Sequence, residues 1–365
     1  MEELQKSSNP NFRLHVTPSF PGAKEFPWIN KPMGLAHWLE HANPPVKEKI
    51  IVIIDPDQFF LDKLEIDGSR SVKGSGRPYG ENGILMTSGA KGGKAFGRDV
   101  VGLTDLIKRG RPIGQTYGLG GAFVHSYNVS AIVEPDSPAL QLDFKRAAQY
   151  YSVGPPMMAH IDDMRKIFSK WVPYMHPVFN QHPGDIQADM YAYSFAAAHF
   201  NLDHLMFDHY MVSSPMTGGE AWPFVNKYGS MPCSNPNKNA RRPDARIPTF
   251  LHLAQRYDSE ATRFMFHKGH VPANILSCDL PILITPPDDL IDTAPSKEQV
   301  HKMYMLCNAY NLINEAVLAW KKKFCAPGYN TKKKIMMLKK GPHCSSEERS
   351  KSCWVFARVE DEQVD

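Results

Sequence analysis

Ile50-Ile51-Val52-Ile53-Ile54-Asp55-Pro56-Asp57 delivers five aliphatic residues straight into two carboxylates. A continuous Ile/Val run of this length reads as a central strand covered on both faces. In an extended chain alternate residues share a side, so Asp55 and Asp57 point the same way, with Pro56 constraining the backbone between them. Two carboxylates converging at a strand end, where an open α/β sheet forms its ligand crevice, make a site for a hard divalent cation. A cation held there would bind a diphosphate well. Asp-Pro-Asp is also the composition of an ordinary turn with exposed carboxylates, and the apolar run ahead of it is what favours the metal reading.

Working outward, residues 1–27 look irregular, and Asn30 stands where it can cap a helix running to about His41, with Leu35, Trp38 and Leu39 on one face. Downstream, nine glycines mixed with Ser, Lys and Arg lie between Asp67 and Arg98. That is a long loop or insertion, readable as a lid over the metal site or as a surface excursion. Tyr117-Gly118-Leu119-Gly120-Gly121 lacks the spacing and context of a dinucleotide-binding loop and reads as a turn near a strand. Residues 160–171 predict a helix with the stripe Ile161, Met164, Ile167, Phe168 and Trp171, and with Asp162 and Asp163 where the helix dipole favours acids. Residues 187–200 predict a small-residue buried helix, 303–320 a core-facing amphipathic one, and 214–247 a long loop.

The chain has 365 residues, 42% hydrophobic and 22% charged, an ordinary globular composition rather than a disordered one. Its formal charge of +4 draws on clusters at Lys321–Lys323, Lys332–Lys334 and Lys339–Lys340, which read as a solvated tail rather than a nucleic-acid surface. No apolar stretch approaches the ~20 residues of a membrane helix, and no signal peptide or membrane anchor is visible. The six cysteines lack a CxxC and match no zinc spacing. Cys307 and Cys325 bracket a predicted helix, which allows a disulfide from its start to just past its end. Asn128-Val129-Ser130 is an N-glycosylation sequon, meaningful only in a secretory compartment.

Several segments, taken in order, resemble the plant and algal peptidyl serine α-galactosyltransferases and the related hydroxyproline O-arabinosyltransferases. They are His15-Val16-Thr17-Pro18, Ile29-Asn30-Lys31-Pro32-Met33-Gly34 with Trp38-Leu39, and the Asp-Pro-Asp strand. Met158-Ala159-His160-Ile161-Asp162-Asp163-Met164-Arg165 with Trp171 follows, then Gly184–Phe195, Phe250-Leu251-His252 with Lys268, and Asn314-Glu315. No single match is specific; the ordered set is. Two departures stand out: Ile186 and Asp189 occupy positions where the family has Trp and Glu. The family's first strand and helix, which supply much of its nucleotide-base contact, are also expected to be missing ahead of His15. Haloacid-dehalogenase-like phosphatases share an apolar strand followed by DxD, but usually place Thr or Val where this chain has Phe59.

The resemblance implies an α/β fold, a GT-A-like (Rossmann-like) mixed sheet flanked by helices. One glycosyltransferase domain would span 1–325 with an insertion at about 67–98, followed by a basic, Cys-containing tail over 326–365. It implies Mn²⁺ or Mg²⁺ as cofactor, held by Asp55, Asp57 and His252, although His252 alone would read as structural. It implies a UDP-sugar donor whose diphosphate meets Lys268, with Lys31 and Asn30 as weaker donor-side candidates and Asp55 binding the metal directly, through water, or through the ribose. Asp189, and Asp162 and Asp163 with His160, are the candidates for orienting the acceptor, helix capping being the competing account of each. The acceptor would be a Ser- or hydroxyproline-containing protein, the transfer retaining, and the compartment the Golgi or ER lumen. A non-catalytic relative that binds without turnover is the alternative, with a metal-dependent phosphatase behind it.

Overall fold

The computed structural model describes residues 12–64, 107–207, 209–216, 220–241 and 247–326, with the strands Lys334–Lys339 and Trp354–Val359. The glycine-rich stretch at 67–98 lies outside the described residues. The protein is mixed α/β and divides into two compact units, and one of the chain's crossings between them falls between Ile54 and Asp55. The opening run thus ends in one unit as strand β1, Ile50–Ile53, and its aspartates open the other, leading into β2, Gln58–Phe60.

In the first unit the helix expected near Asn30 is α1, Asn30–His41. Asn30 does not cap it. A 3₁₀ turn, Pro27–Ile29, feeds in directly, so Ile29 holds the cap position in helical conformation and no side chain bonds to the first turn. Strands β3 (Ile113–Thr116), β4 (Val153–His160) and β5 (Leu205–Phe207) join β1 in a four-stranded sheet of order β1-β4-β3-β5. β4 runs antiparallel to both neighbours, and β5 is parallel to β3.

Among the described residues β1 is therefore an edge strand, not the central one. Ile51 and Ile53 are buried while Ile50 and Val52 are only partly so, the alternation of a strand with one core face. An aliphatic run reports burial but does not say which strand is central. The central strands β3 and β4 are buried on both faces, and the opening Val153-Gly154-Pro155-Pro156 disguises β4. Proline cannot donate to a ladder. Here the register skips from Gly114↔Met157 to Gln115↔Gly154, so the two prolines sit in the irregularity and no ladder bond is asked of them.

After β3 the chain turns at Tyr117–Gly121 as read, with Gly120 at φ +63°. Helices α2 (Phe123–Ser126) and α3 (Phe144–Tyr150) follow. Helix α4, Ile161–Gln181, continues well past Trp171 through Pro173 and Pro177. Pro173 lies on its exposed side, where water can serve the carbonyl its missing N–H leaves. Met164, Ile167, Phe168, Trp171, Met175 and Val178 recur every three or four residues and are buried. Each such side chain stabilises by roughly 1.5–3 kcal/mol. They pack on α5, Ala188–His199, whose buried Ala192, Ala196 and Ala197 allow close approach.

The second unit holds a three-stranded sheet of order β2-β7-β6, built with β6 (Met211–Val212) and β7 (Phe250–His252). Helix α6, Trp222–Val225, lies within the segment expected to be a loop. Trp222, Phe224, Val225, Met231 and Cys233 from that segment are buried, and the segment reads as a loop because its apolar residues come in short groups that show no period. A hairpin of β8 (Tyr257–Asp258) and β9 (Met265–Phe266) follows. Helix α7, Lys297–Phe324, is longer than its apolar period because Ser296 caps it, accepting from the Gln299 N–H at 3.2 Å.

Two expectations about the C-terminal region are corrected. β10 (Ile282–Leu283) pairs parallel with β11 (Lys334–Lys339), which pairs antiparallel with β12 (Trp354–Val359), so the basic tail includes strands. Lys321 is buried, its ammonium donating to the Leu280 carbonyl. Among the described residues the disulfides are Cys233–Cys307 and Cys278–Cys325, not Cys307–Cys325. Cys307 sits inside α7, and at 1.5 Å per residue the helix carries it about 27 Å from Cys325 along the axis, far beyond bonding reach.

Candidate metal centre

The two aspartates are arranged by a tight turn. The Gln58 N–H donates to the Asp55 carbonyl at 3.0 Å, and the Asp55 N–H donates back to Gln58 Oε1 at 2.9 Å. Pro56 and Asp57 occupy the middle of this turn, Pro56 at the position its fixed φ suits. Strand pairing brings the third group. β2 and β7 run antiparallel with Gln58 opposite His252, and the Leu253 N–H donates to the Asp57 carbonyl at 2.9 Å. His252 therefore arrives beside Asp57 through backbone register, across most of the sequence. The Tyr257 hydroxyl reaches the His252 carbonyl at 3.0 Å and holds the end of β7.

His252 Nε2 lies 3.4 Å from Asp57 Oδ1 and 3.7 Å from Asp55 Oδ2. Ligand atoms of Asp55, Asp57 and His252 all fall within 4.8 Å of one another. Both carboxylates are 15% exposed and the imidazole 4%, so the site is recessed but open to solvent on the carboxylate side. Lys268, in the 3₁₀ turn after β9 and half exposed, ion-pairs with the other Asp57 oxygen, Oδ2. Burial works to raise the Asp57 pKa, but the hydrogen bonds with His252 and Lys268 outweigh it and hold the carboxyl well below the usual carboxylate range. Two carboxylates and one imidazole form a donor set that divalent cations such as Mn²⁺ accept. The residues present fit a metal ion.

The other candidates lie in the first unit and are engaged there. Asp189, in the first turn of α5 and 3% exposed, pairs with Lys31 Nζ at 2.6 Å. Two residues read for separate duties thus form one partly buried ion pair, and the Trp171 indole donates to the Asp189 carbonyl at 2.7 Å. Asp163 is buried and accepts the Gly110 N–H at 2.6 Å, while Asp162 pairs with Arg109, so both hold the turn that Lys108 and Arg111 close. His160 caps α4, its Nδ1 accepting the Asp162 N–H at 3.2 Å. Asn30 is exposed at the start of α1. Ile186 is 69% exposed.

Gln58 and Tyr257 were missed as supports of the centre. Gln58 was legible as the residue that follows the aspartates into a strand; nothing local marked Tyr257. Glu220 was missed too. It is 5% exposed and accepts the Ser213 N–H at 2.6 Å and the Ser214 N–H at 3.1 Å. The chain matches no known family model, no curated protein and no solved structure.

Proposed function

We propose that the protein is a metal-dependent GT-A-type glycosyltransferase that moves galactose or arabinofuranose from a UDP-sugar to a Ser or hydroxyproline hydroxyl of a protein. The observation that carries this reading is the convergence of Asp55, Asp57 and His252, with Lys268 at the rim. This is the set the family resemblance asks for, drawn from distant parts of the chain.

Asp55, Asp57 and His252 would hold Mn²⁺ or Mg²⁺, which when bound supplies Lewis acidity to a leaving diphosphate. Asp57 is ionised throughout the neutral range, the form a ligand needs. Lys268 sets a mobile positive charge at the solvent edge of the centre, where leaving phosphate oxygens gather charge. In a retaining, front-face transfer the departing phosphate takes the acceptor's proton, so the chain need supply no general base. Asp189, held by Lys31, is not given that role. The disulfides Cys233–Cys307 and Cys278–Cys325 fit an oxidising compartment such as the Golgi or ER lumen.

The Asp189–Lys31 pair favours a second reading, a protein that binds a nucleotide sugar without turning it over, because a carboxylate so held does not orient an acceptor. Mass spectrometry of a Ser/Pro-rich peptide, with and without hydroxyproline, incubated with Mn²⁺ and each UDP-sugar separates them. The enzyme reading predicts addition of a hexose or pentose. Metal-dependent UDP binding with no addition from any donor supports the second.

A further inference from the structure

Helix α1 ends on His37-Trp38-Leu39-Glu40-His41, two histidines four residues apart with a carboxylate between them. That spacing puts both imidazoles on one helical face, one turn apart, and is a spacing with which helices offer two nitrogens to one metal. The rings of His37 and His41 have their centroids 4.5 Å apart. A third imidazole comes from the extended segment before α1: His15 Nε2 lies 2.8 Å from His37 Nδ1, with ring centroids 5.1 Å apart. We propose that His15, His37 and His41 form a nitrogen-rich site for a transition-metal ion of the zinc class, separate in chemistry from the Asp55–Asp57–His252 centre.

The three imidazoles do not yet bring their nitrogens within 4.8 Å of one another, so a bound ion would have to draw them in. Around a tetrahedral ion with metal–nitrogen bonds of 2.0–2.1 Å, two ligand nitrogens lie about 3.3 Å apart. The His15–His37 pair would open by about half an ångström. His41 is 59% exposed, so its ring can turn in without displacing a packed group, and its Nε2 is 3.7 Å from Glu40 Oε2, a carboxylate placed to orient it. The Phe20 ring meets His37 edge-on and walls the inner side.

Donor type separates this site from the other centre. Three imidazoles favour Zn²⁺, Co²⁺ or Ni²⁺, whereas a carboxylate-rich site accepts Mn²⁺. The bound ion would pin the His15 segment to α1.

The test is Zn²⁺ and Co²⁺ titration of the full chain, as wild type, His37→Gln, His15→Gln and Asp57→Asn, with circular dichroism confirming each fold. The proposal expects one zinc equivalent that survives Asp57→Asn and weakens at least about 100-fold in His37→Gln and in His15→Gln. It also expects visible Co²⁺ absorption that vanishes in the same two variants, and Zn²⁺ protection of the His15 segment from proteolysis in the wild type. His15 lies in an extended segment outside the helices, so that variant keeps the test meaningful should His37→Gln perturb α1. Unchanged zinc stoichiometry and affinity in the folded histidine variants, or a zinc equivalent that disappears with Asp57→Asn alone, would overturn it and leave the pair a hydrogen bond only.

Discussion

Asp57 divides one carboxylate between two partners, His252 on Oδ1 and Lys268 on Oδ2. Its removal is expected to weaken metal-dependent nucleotide binding on the order of 100-fold, and transfer at least as much. Because Asp57 sits in a solvent-open turn rather than in the core, Asp57→Ala should keep its circular dichroism spectrum; retained metal-dependent activity would refute the assignment. Glu220 presents the opposite case. Burial pushes its pKa up to about 8, which the Ser213 and Ser214 N–H groups only partly offset. An unfolded Glu titrates near 4.5. The protonated side chain's contribution is therefore fully present below about pH 4.5 and is lost as pH rises through about 8, on the order of 5 kcal/mol in all. Urea unfolding at pH 5, 7 and 9 should show this decline, and Glu220→Gln should flatten it. An identical slope in the variant would show that Glu220 is not its source.

The centre depends less on local motif than on how strands pair. Register between β2 and β7 sets His252 against the aspartates, and the hairpin of β8 and β9 delivers Lys268. Backbone space is as demanding elsewhere. A Cβ on Gly121 would stand 2.1 Å from the Phe144 carbonyl oxygen, a backbone atom that cannot rotate away. Gly121→Ala should cost about 1–3 kcal/mol in urea unfolding, and a neutral result would mean that the turn before α2 shifts freely. The same contrast explains what could be read in advance. Helix α4 was legible because its apolar residues keep helical period and α5 because of its run of small residues, Asp57 because an acid pair at a strand end marked it, and His252 through the resemblance alone. β4 was hidden by prolines that its bulge absorbs, and the Asp189–Lys31 pair by the ordinary look of each residue. Asn30 lost its cap role to a 3₁₀ turn whose Pro27 already presets the helical entry.

Taken as a whole molecule, the protein relies on covalent as well as hydrophobic cohesion in its second unit. The two disulfides close loops of 74 and 47 residues, and chain-entropy reasoning gives each about 4 kcal/mol, with measured values for such bonds commonly 2–5. Dithiothreitol should therefore lower the urea midpoint markedly; an unchanged midpoint would mean the bonds add nothing. No helix among the described residues is long and apolar enough to cross a membrane. The residues that could hold the metal, Asp55, Asp57 and His252, all belong to the second unit. The most direct measurement is isothermal calorimetry of UDP, with and without Mn²⁺, on the wild type and on Asp57→Asn. The account predicts UDP binding that requires Mn²⁺ and is lost in the variant, and UDP binding that is absent, independent of the metal, or unchanged in Asp57→Asn would contradict it.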